Sequence, residues 1–580
     1  MKALRIDLIN RYLKPHRRTL LLGALSLVIV NILSVIIPFE VRKIIDALQE
    51  GFTFNDVLKQ SAWIISLATV MAFIRLISRQ LVFGVGRQVE VDLRQRLFDH
   101  MLIQDPGWVQ EIGSGEVITR ATSDIENIRR LLGFAILSLT NTFLAYAFTV
   151  PAMLAINPWL TLASISLYPI MLGVVRLFGG RMVNQRKRQQ EALSSLSELI
   201  QEDLSGISAI KIYGQEDAEG KAFSKLNKEY KNAAINLART ASTLFPLLQG
   251  ISSISLLLIL ALGSGLIETG SLTIGGLIAL ILYVERLVFP TALLGFTLNT
   301  FQLGQVSLER VEELLTNTPS IQDNSGSKEF TSTVKGKLEA KGLCISYEDS
   351  QTEILKDLNF VINAGELVAI VGPVGCGKTT LARALGRMIN VPKQQLFIDN
   401  YDIVDIKLDE LRKNIAFVPQ EGYLFTDTLQ NNLRYGDPNA SIEEVRSSAS
   451  QARLNEDIKG FPDGFKTLVG ERGITLSGGQ RQRTALGRAL LINAPIIVLD
   501  DALASVDNKT AASILASIRE QTNRTILMIS HQLSAAAACD RILVLNQGKL
   551  EQEGKHEDLI KSDGIYKKLW EREQATEGIG

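Results

Sequence analysis

Six long apolar stretches occupy the first half of the chain, and each approaches the roughly 20 residues that an α-helix needs to cross about 30 Å of hydrocarbon. They lie at Thr19–Phe39, Ser61–Phe83, Gly133–Ile156, Trp159–Gly179, Leu244–Ile267 and Leu272–Leu298. Lys14, Arg17 and Arg18 precede the first stretch, but it is too long for the apolar region of a cleavable signal peptide. We therefore predict six transmembrane helices, the first of which is retained.

The connections between these stretches alternate between short and long. Asn157-Pro158 and the turn around Glu268-Thr-Gly270 are short, whereas residues 84–132 and 180–243 form two long connections. Both long connections are rich in arginine and lysine, which favours the cytoplasmic side, and both keep helical spacing. We expect the membrane helices to continue into the cytosol. Since the number of spans is even, both termini are predicted to be cytosolic.

Beyond Leu314 the chain becomes polar and then alternates between short apolar runs and helical patterns. The runs are rich in β-branched residues and lie at Leu367–Val371, Ile415–Val418, Ile496–Leu499 and Ile526–Ile529. This alternation is typical of an α/β domain. We predict a multidomain protein with a six-helix α transmembrane domain at 1–315, a linker at 316–335 and an α/β P-loop domain at 336–580.

Composition supports a membrane half and a soluble half. The 580 residues include 61 basic and 61 acidic side chains, so the charge does not indicate a nucleic-acid partner. The hydrophobic content of 46% is high for a soluble protein, and the charged content of 21% is high for one wholly embedded in lipid. Three cysteines, all in the C-terminal half, fit reduced cytosolic thiols better than a disulfide framework.

A glycine-rich loop predicts a phosphate-binding site. Gly372-Pro-Val-Gly-Cys-Gly-Lys-Thr379 fits G-x-x-x-x-G-K-[ST], with a predicted strand before it and a helical pattern at Thr380–Met388 after it. The loop amides and the helix N-terminus favour phosphates. The residues that we assign to the nucleotide here are Gly372, Gly375, Cys376, Gly377, Lys378, Thr379 and Thr380. We also expect maleimide to label Cys376 and Mg-ATP to protect it.

A second acidic segment, Ile497-Val-Leu-Asp-Asp-Ala-Leu-Ala-Ser-Val-Asp507, completes this chemistry. The apolar strand ends at Asp500, whose carboxylate is predicted to hold Mg²⁺ through water, while Thr379 offers a hydroxyl. The adjacent Asp501 has no such simple explanation.

With these two motifs and those that follow, nearly the whole chain resembles an ATP-binding cassette (ABC) exporter of the multidrug-resistance type. Leu476-Ser-Gly-Gly-Gln480 matches the family signature, Gly470-Glu-Arg-Gly473 looks like the exporter contact to the membrane domain, and Ser505-Val-Asp507 matches the loop after the magnesium strand. Gly113–Asp124 and Glu202–Lys211 lie where the two coupling segments belong.

The resemblance implies roles for individual residues. Tyr347 lies where the family stacks an aromatic ring on adenine, Gln420 matches the loop glutamine that senses Mg²⁺, and His531 matches the switch histidine. In the family, the signature residues close on ATP held by a second cassette. The residues so implied are Ser477, Gly478, Gly479 and Gln480. A dimer is therefore implied, with ATP and Mg²⁺ as cofactors, a multi-pass location in the inner membrane, and a small amphipathic, lipid-like or drug-like substrate.

Asp501 departs from the family, which normally has glutamate at this position to polarise the attacking water. Aspartate is one methylene shorter, and a general base must lie within hydrogen-bond distance of its water. We predict that this subunit hydrolyses ATP slowly and that its signature serves a different partner subunit. The alternatives are a homodimer with sluggish ATPase, an ATP-gated regulatory or channel-like protein, and an importer.

Charged residues also fall inside or near the ends of the apolar stretches: Arg75, Arg176, Glu285 and Arg286. Such charges are costly and usually face a cavity or a partner. Glu285 is either a residue of the substrate cavity or part of a structural pair, for example with Arg75.

Overall fold

The computed structural model describes residues 6–48, 51, 53–346, 353–504, 506, 508–521 and 524–577. Its contacts divide the chain into two units. The first contains Met1–Leu102 and Gly113–Asn317, and the second contains Ile103–Ile112 and Thr318–Gly580. The predicted domain limits and linker are close to this division and stay predictions.

The described part of the first unit consists of helices and short connections. Its helices are Ile6–Leu13, Arg17–Leu48, Phe54–Ile103, Ser114–Thr119, Ile125–Arg130, Ile136–Leu154, Pro158–Ile165, Tyr168–Ser205, Ile207–Tyr213, Glu216–Glu268 and Ile274–Thr316, of which Phe54–Ile103 continues one residue into the second unit. Single helices or directly consecutive ones among these form six candidate spans of 42, 50, 41, 48, 53 and 43 residues. A helix of 53 residues is about 80 Å long, more than twice the hydrocarbon thickness. The six predicted spans are therefore confirmed, as is their continuation beyond the apolar stretches.

Local capping explains where the short connections lie. The Asn157 side chain accepts a hydrogen bond from the Leu160 amide at 3.0 Å, and Pro158 occupies the first helical turn. The Thr273 hydroxyl accepts from the Gly276 amide at 3.0 Å and begins the sixth span. These caps satisfy amides that a helix start leaves without partners, so two helices can follow each other closely.

The long connections contain the two segments that we assigned to coupling. Gly113–Asp124 forms the helix Ser114–Thr119 and a widened turn to Asp124, and it belongs to the first unit. The residues grouped with the second unit, Ile103–Ile112, immediately precede it. The second segment ends within the short helix Ile207–Tyr213. Its coupling role stays a prediction.

In the described part of the second unit, twelve strands form the sheets. In chain order they are β1 Leu338–Ser346, β2 Glu353–Ile362, β3 Leu367–Val371, β4 Leu396–Ile398, β5 Tyr401–Asp402, β6 Ile415–Val418, β7 Asp427–Thr428, β8 Leu468–Val469, β9 Ile496–Asp500, β10 Thr525–Ile529, β11 Arg541–Asn546 and β12 Lys549–Gly554. The helices are Pro106–Ile112, Lys378–Leu385, Leu408–Lys413, Leu429–Arg434, Ile442–Gln451, Asn455–Gly460, Gly478–Leu491, Asn508–Gln521, Leu533–Ala536, His556–Lys561 and Ile565–Glu577.

The central sheet positions the functional loops. Its order is β12-β11-β3-β10-β9-β6, and its strands are parallel except for the edge strand β12. Strands β3, β9 and β10 are buried along their whole length, which explains their unbroken apolar sequence. Ile529 pairs with both Asp500 and Ile370, so the carboxyl ends of the three strands meet at one edge. The four strands predicted from sequence are confirmed.

Candidate nucleotide-binding site

The loop after β3 requires glycine for steric reasons. Gly372 has a φ of 153°, and a Cβ there would lie 2.1 Å from the Leu545 carbonyl oxygen. Gly377 has a φ of 103°, and its Cβ would lie 2.6 Å from Leu355 Cδ2. The loop leads directly into the helix Lys378–Leu385. This helix begins two residues before the predicted Thr380–Met388, because it already starts inside the phosphate-binding motif. It ends three residues before the predicted end, with Gly386 at its C-cap.

Lys378 lies across this loop. Its side chain is 5% exposed, and Nζ donates to the carbonyl oxygens of Gly372 at 2.8 Å and Pro373 at 3.0 Å. Burial lowers the pKa of Lys378, while the nearby Cys376 and Asp501 oppose that shift. Carbonyl oxygens thus hold the ammonium group at the helix N-terminus. Phosphate oxygens can replace them as its hydrogen-bond acceptors.

Thr379 and Asp500 form an oxygen-rich pair beside the loop. The Thr379 hydroxyl donates to Asp500 Oδ1 at 3.1 Å, and Asp500 is 3% exposed. Burial raises the pKa of Asp500, and the hydrogen bond from Thr379 opposes that shift. Hydroxyl and carboxylate oxygens are ligands that Mg²⁺ prefers, so the donor set fits this ion. The neighbouring Thr380 is buried within the helix.

Asp501 follows β9 in a left-handed backbone conformation with a φ of 50°. Its amide donates to the Ile529 carbonyl at 2.9 Å, which fixes the turn, and its side chain is 8% exposed. Two donors face its carboxylate: Gln420 Nε2 at 3.5 Å and the His531 backbone amide at 3.4 Å. Both distances are long for hydrogen bonds. The structure thus brings Asp501 close to Gln420 and to the His531 backbone, while the His531 side chain is exposed.

The signature segment is organised by its own hydrogen bonds. Ser477 caps the 14-residue helix Gly478–Leu491: its hydroxyl accepts from the Gln480 amide at 3.3 Å, and the Gln480 side chain accepts from the Ser477 amide at 2.9 Å. Gln480 Nε2 also donates to Asp457 Oδ1 at 3.1 Å. This capping box leaves the amides of Gly478 and Gly479 at a helix N-terminus, which attracts anions.

Several predicted residues of the nucleotide site either lie outside the described residues or form no described contact that bears on ATP. Tyr347, Ser505 and Asp507 are not among the described residues. Cys376 is 4% exposed, so maleimide should reach it more slowly than a surface thiol. Arg472, within the predicted exporter motif Gly470–Gly473, has a φ of 52° in an exposed turn.

Two residues near the site carry no local sequence signal. The Glu573 carboxylate accepts from the amides of Leu533 at 2.8 Å and Ser534 at 3.3 Å, and thereby caps the helix that follows His531. Asp457 binds Gln480 and also accepts from Arg483 Nη2 at 2.7 Å. Glu573 lies 40 residues from Leu533 in the chain, so spacing could not reveal it.

Family models match most of this chain, and known proteins match nearly the whole of it. The family model described as "ABC transporter transmembrane region" matches residues 20–291, and the one described as "ABC transporter" matches residues 355–504. "Multidrug resistance-like ATP-binding protein MdlA" of Escherichia coli is 31% identical over 95% of this chain and 94% of that protein. "ATP-dependent lipid A-core flippase" of Syntrophus aciditrophicus is 30% identical over 99% of this chain and 96% of that protein. A solved structure of a bacterial Atm1-family ABC exporter with ATP bound has a TM-score of 0.77 and 27% identity, and the match covers 96% of this chain and 98% of that one.

Proposed function

The chain belongs to the ABC transporter family, and from that premise we propose that it is one half of a heterodimeric exporter whose own ATP site turns over slowly. Its fold is that of an ABC exporter, a multi-pass membrane protein in which an ATPase drives transport. The observation that carries the proposal is the Asp501 carboxylate, which is one methylene shorter than the family's glutamate. Its contacts to Gln420 at 3.5 Å and to the His531 amide at 3.4 Å are both long.

The surrounding site supports slow hydrolysis rather than lost binding. Lys378 is positioned by loop carbonyls, and Thr379 and Asp500 supply oxygen ligands suited to Mg²⁺. None of these contacts depends on the length of the side chain at 501. The site is therefore built to hold ATP and Mg²⁺, and we assign Gln420 and His531 to the γ-phosphate. The adenine contact of Tyr347 stays what the family resemblance implies.

The intact signature supports a second role in a dimer. The chain has one glycine loop and one signature. The family resemblance implies a dimer in which each signature meets the ATP held by the other cassette. Here Ser477, Gly478, Gly479 and Gln480 are organised by a complete capping box. We assign them to the partner's ATP, where hydrolysis is fast. A partner that differs in sequence follows, because two slow sites would leave the transporter without an efficient one.

The transport cycle moves an amphipathic, lipid-like or drug-like small molecule out of the cytosol. The six spans lie in the cytoplasmic membrane, with the cassette and both termini in the cytosol, where ATP is found. The arginine-rich and lysine-rich long connections favour this orientation.

The test is to purify the tagged chain from its native membrane and identify what copurifies. We expect a second ABC subunit in equal amount, and ATP retained at one site after the other has turned over. Recovery of a homodimer with two equal sites would contradict the proposal.

Transport in reconstituted vesicles tests the remaining alternatives. A pump accumulates substrate in inside-out vesicles only when ATP is hydrolysed. A gate allows passive flux with bound ATP, and an importer moves the substrate in the opposite direction.

A further inference from the structure

Four of the membrane-spanning helices line a partly open cavity in the apolar part of the first unit. The cavity has a volume of about 240 Å³ and is lined by residues from the first, second, third and sixth spans. This is smaller than the roughly 300–1,000 Å³ of a pocket that encloses a whole small-molecule ligand. It therefore has room for the polar end of a molecule rather than for all of it.

Three arginines converge on this cavity. Arg75 and Arg79 lie four residues apart on the second span, so they share a helix face, and Arg286 reaches the cavity from the sixth span. Arg75 Nη2 donates to Met71 Sδ at 3.6 Å and Arg286 Nη2 donates to Asn31 Oδ1 at 3.0 Å, and among the described residues none of the three arginines forms an ion pair with a carboxylate. Glu285 is exposed, and the pair of Glu285 with Arg75 that we considered from sequence does not form in the described chain. Like charges that converge without counterions repel each other, which makes the cavity attractive to an anion.

Arg286 is held in place by a chain of amides. Its Nη2 donates to Asn31 Oδ1 at 3.0 Å, and Asn31 Nδ2 in turn donates to Asn141 Oδ1 at 3.2 Å and to the Leu27 carbonyl at 2.9 Å. Arg286 Nη1 is buried and has no hydrogen-bond acceptor within the described part of the chain. A buried donor without an acceptor is costly. The amide chain thus fixes the guanidinium with one donor left for a ligand.

We propose that this cavity binds a phosphate or carboxylate group carried on an apolar chain. The planar guanidinium group matches the geometry of both oxyanions. The three arginines together carry more positive charge than one carboxylate of the protein could neutralise. Apart from the three arginines, Asn31 and Asn141, the lining is apolar, which suits the chain that follows the charged group. The apolar lining includes Leu137, Phe289 and Pro290. The inference rests on the proposed transport function and names the chemical class of its substrate.

Binding to the purified two-subunit complex, without nucleotide, tests the proposal. The probes are radiolabelled dioctanoyl phosphatidic acid, the matched dioctanoylglycerol, and inorganic phosphate. We expect phosphatidic acid to bind at least tenfold more tightly than dioctanoylglycerol, with inorganic phosphate competing weakly. Arg286→Gln should weaken phosphatidic acid binding by about tenfold to a hundredfold, the loss expected for one charge-assisted hydrogen bond.

Matched variants separate the cavity from general charge effects. Arg176 lies on another span and does not line the cavity, so Arg176→Gln should leave phosphatidic acid binding unchanged. Arg79→Gln provides a second cavity variant if Arg286→Gln fails to assemble, as judged by gel filtration. Arg286→Lys keeps the charge but loses the planar fork, so it should recover part of the affinity.

Three outcomes would overturn the inference: equal binding of the two lipids, equal losses in the Arg176 and Arg286 variants, or tight competition by inorganic phosphate alone. If such a result came with normal ATP-driven transport, the inference alone would fail. Selective binding without ATP-driven transport would instead overturn the proposed function and leave the site in place.

Discussion

Replacing Asp501 with glutamate should raise ATP hydrolysis at this subunit's own site. Glutamate adds one carbon–carbon bond, about 1.5 Å of reach. The present contacts of the carboxylate, 3.5 Å to Gln420 and 3.4 Å to His531, are long, so moving it gives up little. A misplacement of about 1 Å costs on the order of a hundredfold in rate, equivalent to about 2.7 kcal/mol of activation free energy. We therefore expect a gain of roughly tenfold to a hundredfold.

The backbone at this position adds a small opposing effect. Asp501 adopts a φ of 50°, which aspartate tolerates better than most residues because its short side chain bonds locally. Glutamate should therefore lower the stability of the cassette, by about 1 kcal/mol, without lowering the rate of the folded enzyme. Thermal unfolding of the variant measures this cost separately from its kinetics.

The assay is steady-state ATPase of the purified complex in which the partner's own phosphate-loop lysine has been replaced, so that the signal comes from this site. Two companion variants in the otherwise unmodified complex give the contrast. Gly478→Asp places a negative charge at the helix N-terminus assigned to the partner's ATP, and it should abolish most turnover. Asp501→Asn should cost little by comparison. If Asp501→Asn eliminates ATPase as completely as Gly478→Asp, then Asp501 is an ordinary catalytic base and the two-site proposal is wrong.

Three further predictions concern the same cassette. Lys378→Ala should weaken equilibrium ATP binding to this subunit by about 1.5–3 kcal/mol, and unchanged affinity would contradict its placement at the phosphates. Maleimide should label buried Cys376 slowly and Mg-ATP should suppress the labelling, with Cys376→Ser as the background; a rate insensitive to nucleotide would count against the site. Glu573→Ala removes the cap at Leu533, so it should lower the free energy of unfolding by roughly 0.5–2 kcal/mol and also lower the ATPase rate. Glu573→Gln should lower both by less.

Much of the fold follows from patterns that act over short distances. The six spans are long enough and apolar enough to be recognised singly, and the strands β3, β9 and β10 are unbroken apolar runs because both faces of the sheet are covered. Lys378 follows β3 and Asp500 ends β9, and a parallel sheet brings its carboxyl ends to one edge. Their proximity is therefore predictable from topology alone.

The contacts that the sequence did not reveal join residues far apart in the chain. Glu573 reaches Leu533, and Asn31 holds Arg286 from another span. A lone acid on a C-terminal helix, or an asparagine in a membrane helix, has many possible partners, so neither residue type nor spacing selects one. The same limit explains why a pair of Glu285 with Arg75 was an open alternative: opposite charge indicates that a pair is allowed, but only packing decides whether it forms.

The arrangement of the cassette explains how one substitution can separate ATP binding from ATP hydrolysis. The groups that hold phosphate and metal lie in the loop and the helix start that follow β3 and at the end of β9, and they contact each other directly through Thr379 and Asp500. Asp501 lies on the following turn, fixed by its own amide bond to Ile529. Shortening that side chain therefore leaves the binding contacts intact. The signature helix is held by Asp457 in a different network. The proposed slow hydrolysis at this subunit's own site is therefore compatible with the proposed role of its signature in the partner's site.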